Sequence, residues 1–193
     1  MLVAEGVHAV GFNFWPHSKR YLPRQDARSF SPDFAGQILR VGVFVNEDPA
    51  DAISLVQEGL IDVVQFHGEE DQKDVECLIT AGVPVIKAVG ADHLPQWPMF
   101  SGNFALLIDT PAGRDFGGTG KTFDWSIARQ FRQEHPEIPL LLAGGLNPDN
   151  ATAALAAVSP CVLDVASGAE SAPGVKDQEK VRLLQASVAG SRK

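Results

Sequence analysis

Residues 138–148, IPLLLAGGLNP, contain the pattern that decides the fold of this chain. A short apolar run, residues 138–143, is followed by Gly144 and Gly145, and then by Asn147-Pro148 at the start of a stretch with helical spacing. Buried parallel strands are continuous apolar runs of this length. Helices commonly begin with an N-cap asparagine and a proline at the first helical position. The stretch therefore predicts a strand, a tight glycine turn and a helix in succession.

The same alternation continues in both directions along the chain. Apolar runs rich in β-branched residues predict buried strands at residues 8–14, 40–45, 62–66, 83–89, 104–109, 138–143 and 161–166. Helical spacing predicts helices that open at Asp48-Pro49 and Asn147-Pro148 and helices over residues 24–37, 72–81, 124–134 and 176–188. Such alternation produces a parallel sheet. Glycine or polar residues follow most of these strands, and in a (β/α)8 barrel the loops at those positions build the active site.

The composition predicts one compact domain that binds small partners. The 193 residues are 45% hydrophobic and 21% charged, which is enough apolar material for one core, so we expect a single domain over residues 1–193. The formal net charge of -8 works against nucleic acid or an anionic membrane as a partner. Cys77 and Cys161 lack metal-ligand spacing, and no export signal is visible, so we expect a soluble cytoplasmic protein in which Cys77 faces the core.

Glycine turns provide backbone N–H groups at the predicted active-site end. Gly144-Gly145 follows the penultimate predicted strand and Ser167-Gly168 follows the last one, where (β/α)8 enzymes often bind phosphate. Residues 115–122, DFGGTGKT, resemble a phosphate cradle but lack the four-residue gap of the P-loop, which argues against an NTPase. These turns predict a phosphorylated small-molecule substrate. The alternative is that the glycines only permit tight turns.

Polar side chains at strand ends are the candidates for chemistry. Asp109 ends the apolar run 104–108, where a carboxylate is hard to explain by packing. The planar guanidinium of Arg20 suits a substrate carboxylate, and His67 follows the third predicted strand. Structural alternatives stay open for each residue. Asp109 could cap a loop or pair with Lys121 or Arg20, Arg20 could be solvated surface, and His67 could be a hydrogen-bonded structural residue.

Seven motifs resemble, in order, the successive motifs of the phosphoribosylanthranilate isomerase family. They lie between about residues 10 and 180 and read SKRY (18–21), VGVFVNEDP (41–49), VQFHG (64–68), LIDTP (107–111), GGTGKTFDW (117–125), LAGGLNP (142–148) and SGAESAPGVKD (167–177). The resemblance implies an α/β fold of the (β/α)8 TIM-barrel type with parallel strands. It also implies an Amadori rearrangement of N-(5′-phosphoribosyl)anthranilate in tryptophan biosynthesis, with no cofactor and no metal.

The resemblance assigns roles to individual residues as well. Asp109 matches the family's general acid, and Arg20 matches the arginine that meets the anthranilate carboxylate. The other matched positions are the substrate-binding residues His67, Gly118, Thr119, Gly120 and Asp164 and the phosphate-binding residues Gly144, Gly145, Ser167 and Gly168. Ala166 stands where the family usually has a second serine, although backbone donors serve equally in such a turn. The expected partner is a small phosphoribosyl substrate, and the expected assembly is a monomer or homodimer.

The chain departs from the family's pattern at its beginning. The family starts with a strand and turn of the type Lys-Ile-Cys-Gly, whose cysteine is the general base, whereas residues 1–6, MLVAEG, resemble the end of the family's first helix. We therefore expect a barrel without its first strand and most of its first helix. Since a positioned base contributes about 10² to 10⁴ in rate, we expect weak isomerase activity from this chain. A start codon assigned too late is the favoured explanation, and the alternatives are a truncated pseudoenzyme or a strand contributed by a second chain. The alternative function is a barrel that only binds phosphorylated ligand.

Overall fold

The structure, a computed structural model, describes residues 1–90, 93–94, 97, 100, 102–109 and 125–191. The chain forms two compact units, one of Met1–Ala88 with Pro98–Ala105 and one of Val89–Trp97 with Leu106–Lys193. Both units have the predicted α/β alternation, and the described residues contain the seven predicted parallel strands. Within these ranges, no helix has the length and apolar character needed to cross a membrane.

The first unit is a parallel sheet with helices between its strands. The strands are β1 (Ala9–Asn13), β2 (Leu39–Phe44), β3 (Val63–Phe66) and β4 (Val85–Val89), whose last residue belongs to the second unit. Each of these strands pairs in parallel with the next one along the chain. The helices are α1 (Arg24–Phe30), α2 (Pro49–Gln57) and α3 (Gln72–Thr80). The buried residues of β2 and β3, Phe44 and Phe66 among them, form the core of this unit.

Helix α1 is shorter than the sequence predicted. The helix expected over residues 24–37 ends at Phe30 and continues only as a 3-10 turn, Ser31–Phe34. Pro32 explains this end, because its ring clashes with the preceding turn of an α-helix and it has no N–H group to donate.

Helices α2 and α3 each begin directly after an aspartate that caps the helix. The Asp48 and Asp71 carboxylates each accept a hydrogen bond from the N–H group two residues further on, at 2.8 and 2.7 Å.

The expectation that Cys77 faces the core was wrong, since its thiol is exposed on α3. Val75 and Leu78 form the buried face of that helix instead.

The second unit repeats the alternation of strand and helix and adds a hairpin. Its parallel strands are β5 (Phe104–Asp109), whose first two residues belong to the first unit, β6 (Leu140–Ala143) and β7 (Val162–Leu163). The helices are α4 (Ser126–Glu134), α5 (Ala151–Val158) and α6 (Gln178–Ser191). A 3-10 turn, Ser167–Ala169, leads into an antiparallel hairpin of β8 (Glu170–Ala172) and β9 (Val175–Lys176), which the sequence analysis did not predict.

The start of α5 also differs from the prediction. Asn147 was expected to cap the helix, but the helix begins at Ala151. Asn147 instead holds a turn, in which its Oδ1 accepts a hydrogen bond from the N–H group of Asp149 at 2.9 Å. The Asn150 Oδ1 accepts one from the N–H group of Asn147, also at 2.9 Å. The side chains that signal a helix start are therefore used to close the turn that follows β6.

A bidentate ion pair fixes the beginning of β2 against the beginning of β3. The Arg40 Nη2 lies 2.6 Å from the Asp62 Oδ1, and the Arg40 Nε donates to the Asp62 Oδ2 at 2.9 Å. The Arg40 side chain is 5% exposed and that of Asp62 is 31% exposed. Hydrogen bonds from Arg40 hold the pKa of Asp62 below its ordinary value, although burial opposes this shift.

We expect Asp62→Asn to destabilise the protein by about 2 kcal/mol at neutral pH, less than the loss of about 3 to 5 kcal/mol for fully buried pairs. A carboxyl group with a lowered pKa in the folded state stabilises that state above its unfolded pKa of about 3.9. This contribution is lost as the pH falls through the folded-state pKa. The difference in stability between the wild type and the variant, measured by urea unfolding, should therefore decrease as the pH is lowered from 7 to 3. Glu58→Gln, which breaks the exposed pair with Arg28, is the control and should have little effect.

Candidate functional site

Asp109 and the first glycine turn leave neighbouring strands at the same end. Asp109 is the last residue of β5, and it pairs in register with Ala143, the last residue of β6. The three residues before it in the strand, 106–108, are buried, whereas Asp109 is half-buried. Gly144 and Gly145 follow Ala143 directly. The candidate acid and the candidate phosphate turn therefore lie at the carboxyl ends of two paired strands, which is where barrel enzymes bind substrates.

The Gly144-Gly145 turn needs glycine and presents unused N–H groups. Its two residues have φ values of 87° and 60°, in the left-handed region that side chains disfavour. Asn150 holds the turn, since its Nδ2 donates to the Gly145 carbonyl at 3.1 Å. Within the described part of the chain, neither glycine N–H donates a hydrogen bond. Two N–H groups are thus available to an anion.

The second candidate turn packs directly on the first. A Cβ atom added to Gly168 would lie 2.8 Å from the Asn147 Cα and would also collide with the Leu146 carbonyl oxygen. Only glycine allows the two turns to approach this closely. The N–H groups of Ala166, Ser167 and Gly168 have no acceptor among the residues that the structure describes. Successive unpaired N–H groups of this kind form concave anion sites.

Asp164 directly follows β7, two residues before the first of these N–H groups. It is half-buried, and its N–H group donates to the Leu142 carbonyl of β6 at 2.8 Å. The structure therefore brings Asp109, Asp164 and both predicted phosphate turns to the ends of three neighbouring strands of the second unit.

Arg20 and His67 lie in the first unit. Arg20 is half-buried in the turn after β1, and its N–H group donates to the Ser18 Oγ at 3.1 Å. His67 follows β3, where its N–H group donates to the Phe44 carbonyl at 2.8 Å. Its Nδ1 lies 3.2 Å from the Gln65 Nε2.

A buried ion pair next to His67 was missed by the sequence analysis. The Lys87 Nζ lies 3.0 Å from the Glu70 Oε2 and donates to the Gly68 carbonyl at 2.6 Å. Glu70 also accepts hydrogen bonds from the N–H groups of Asn46 and Gly68, at 2.7 and 2.8 Å. This cluster fixes the loops after β2 and β3 and, with them, the backbone of His67. A lysine within the apolar run 83–89 is the signal that could have revealed it.

Three of the predicted substrate-binding residues, Gly118, Thr119 and Gly120, lie outside the residues that the structure describes. The same holds for Lys121, so the structure does not test whether Lys121 pairs with Asp109.

The fold is that of an α/β barrel with glycine turns at the carboxyl ends of its parallel strands. The family model of N-(5′-phosphoribosyl)anthranilate (PRA) isomerase matches residues 2–186. The isomerase of Thermotoga petrophila is 40% identical over 186 residues, which are 94% of this chain and 88% of that protein. The chain therefore belongs to the PRA isomerase family, whose members are isomerases of tryptophan biosynthesis.

Solved structures support the same conclusion about the fold. The crystal structure of the Thermotoga maritima isomerase matches with a TM-score of 0.83 and 37% identity, over 97% of this chain and 91% of that one. A PRA isomerase in complex with reduced 1-(o-carboxyphenylamino)-1-deoxyribulose 5-phosphate matches with a TM-score of 0.80 and 34% identity, over 97% of this chain and 90% of that one. The predicted TIM-barrel fold class is confirmed. The alternative of a barrel that only binds ligand is not favoured by these relatives.

Proposed function

We propose that this chain converts N-(5′-phosphoribosyl)anthranilate into 1-(2-carboxyphenylamino)-1-deoxyribulose 5-phosphate, with a site built on the ends of β5, β6 and β7. The observation that carries the proposal is the convergence of two turns with unpaired N–H groups beside the strand that ends at Asp109. A sugar phosphate needs such an anion site, and a ring-opening reaction needs an acid near it.

Backbone N–H groups bind the phosphate in this proposal. The donors come from Gly144 and Gly145 in one turn and from Ser167 and Gly168 in the other. Hydrogen bonds between N–H groups and a charged oxygen are about twice as strong as neutral ones. A local set of such donors can hold an anion although the chain carries a net charge of -8. Ala166 fits this arrangement, because its contribution is an N–H group and not a side chain.

Asp109 is the general acid. In its protonated form it gives a proton to the ribose ring oxygen as the bond from C1 to that oxygen breaks, while the anthranilate nitrogen forms a double bond to C1. A base then takes the C2 proton to give an enolamine, and loss of the enol O–H proton with protonation of C1 gives the ketone. Atoms and electrons balance, since the product is an isomer of the substrate and the acid is reprotonated.

We do not assign the C2 proton to either cysteine of the chain. Cys77 lies on the exposed face of α3, and Cys161 precedes β7 at the end opposite to the proposed site. In the family that this chain resembles, the base that takes the C2 proton is the cysteine of the Lys-Ile-Cys-Gly segment.

The remaining assignments rest on the resemblance and on residue chemistry. Arg20 binds the anthranilate carboxylate, because a guanidinium group can donate two parallel hydrogen bonds to it. The other polar groups of the substrate are assigned to His67, Asp164, Gly118, Thr119 and Gly120.

We also infer the setting in which the reaction takes place. The partner is a small phosphoribosyl compound, and neither nucleic acid nor a membrane is needed. The protein is a single domain and acts as a monomer or homodimer. We place it in the cytoplasm, because two free and exposed thiols, Cys77 and Cys161, fit a reducing compartment.

The decay of anthranilate fluorescence during isomerisation tests this function. The assay should compare the present 193-residue chain with a version extended upstream by a segment of the Lys-Ile-Cys-Gly type. We expect decay with the extended version and a rate lower by about 10² to 10⁴ without the base. Tight binding of the reduced product without turnover in either version would favour a ligand-binding barrel.

We expect Arg20→Ala to raise the KM for the substrate by roughly 10-fold to 100-fold, since a hydrogen bond to a charged group contributes about 1.5 to 3 kcal/mol. The value of kcat should change less, because the carboxylate is remote from the bonds that break. The control is Arg28→Ala, which removes an exposed arginine of α1. An unchanged KM for Arg20→Ala would contradict the assignment.

A further inference from the structure

The hairpin of β8 and β9 follows the Ser167-Gly168 turn and places Lys176 next to the peptide groups that precede this turn. The Lys176 Nζ donates hydrogen bonds to the carbonyl oxygens of Val165 and Ala166, at 3.4 and 3.3 Å. The Lys176 Nζ also lies 3.3 Å from the Oε1 of Glu170, a buried carboxylate. The Glu170 side chain is 4% exposed and that of Lys176 is 27% exposed, so the contact is shielded from solvent.

These hydrogen bonds, together with the one from the Ala169 N–H group to the Ala166 carbonyl at 3.1 Å, determine which way the neighbouring N–H groups face. In a trans peptide unit the carbonyl oxygen and the following N–H group point in opposite directions. When Lys176 holds the carbonyls of Val165 and Ala166 on its side, the N–H groups of Ala166 and Ser167 face the other side. Both of these N–H groups lack an acceptor within the described part of the chain.

Hydrogen bonds from helix α6 and from the residue that precedes it hold the hairpin in place. The Lys180 Nζ donates to the Glu170 carbonyl at 2.7 Å. The N–H group of Asp177 donates to the Ala169 carbonyl at 2.9 Å. Lys176 is therefore anchored before any ligand arrives, and the entropy of ordering the turn is lost during folding and not during binding.

We propose that Lys176, paired with Glu170, is a positioning residue that holds the N–H groups of the second turn toward the phosphate. The inference rests on the proposed function of these turns. Lys176 acts through the backbone, because its ammonium group contacts carbonyl oxygens and a carboxylate on the side opposite to those N–H groups.

Steady-state kinetics and inhibition by reduced 1-(2-carboxyphenylamino)-1-deoxyribulose 5-phosphate test the proposal on the form of the protein that shows turnover. We expect Lys176→Met to raise both the KM and the inhibition constant roughly 10-fold, with little change in kcat, since the loss is one of binding to a charged group. Lys176→Arg keeps a donor for the same carbonyls and should restore most of the affinity. Lys73→Met, which removes an exposed lysine of α3, is the charge-matched control and should leave the KM unchanged.

Each outcome decides the proposal. A folded Lys176→Met protein with an unchanged KM would overturn it, and so would an arginine variant as weak as the methionine variant. Thermal unfolding of each variant separates lost stability from lost affinity. If Lys176→Met does not fold, Lys176→Gln serves as the second variant and should show the same rise in KM. If the wild-type protein itself fails to bind the reduced product, the proposed function fails, and the role of Lys176 fails with it.

Discussion

Asp109→Asn is expected to lower the kcat of the isomerisation by about 10² to 10⁴, which is the usual contribution of a positioned acid. Asparagine has nearly the same shape as aspartate but cannot release a proton to the ring oxygen. The substrate would still bind, because the phosphate is held by the N–H groups after β6 and β7. The inhibition constant of the reduced product is therefore expected to change much less than kcat.

The measurement is the fluorescence assay on the form of the chain that shows turnover, combined with inhibition by the reduced product. Asp26→Asn, a change at an exposed position in the first turn of α1, is the control and should leave both constants unchanged. Equal losses of turnover and of inhibitor affinity would remove Asp109 from the role of acid.

Gly168→Ala is expected to raise the inhibition constant of the reduced product by at least about 10-fold, since hydrogen bonds to a charged group are lost when the turn moves. The added Cβ would lie 2.8 Å from the Asn147 Cα, which is a backbone atom and cannot rotate away. The two turns must then separate, and their N–H groups no longer converge on one anion.

Gly190→Ala is the matched control for this change. A Cβ at Gly190 would meet no atom within 4 Å, and the position lies in helix α6, where alanine is favoured by roughly 0.5 to 1 kcal/mol. Inhibitor affinity should remain that of the wild type in the control. Wild-type affinity in Gly168→Ala would show that the close approach of the turns is unrelated to phosphate binding.

Local signals in the sequence were sufficient for most of the fold. The strand Phe104–Asp109 was predicted with its observed bounds, because an uninterrupted apolar run ends at a carboxylate. Asp48-Pro49 marked the start of a helix, since a capping side chain contacts residues only two positions away. The prediction failed at Asn147, because a residue type that often caps helices can also close a turn with its side chain. The hairpin was missed although Pro173-Gly174, with φ of 81° at the glycine, is a typical turn signal.

The candidate site was predictable only in part. The glycines of the phosphate turns stand out, since left-handed backbone and close approach both require glycine. The roles of Asp109 and Arg20 came from the family resemblance, and the structure does not test them. Glu70 with Lys87, and Glu170 with Lys176, were not foreseen, because an ion pair between separate elements leaves no periodic pattern in the sequence. Its partners become recognisable only when the fold brings them together.

The proposed use of main-chain N–H groups in both turns also determines how recognition responds to acidity. Peptide N–H groups neither gain nor lose a proton between mildly acidic and mildly alkaline pH. The protein's contribution to the contact therefore keeps the same charge over this pH range. A phosphate monoester loses its second proton near pH 6. The ligand, and not the protein, then decides at which acidity the sugar phosphate is captured.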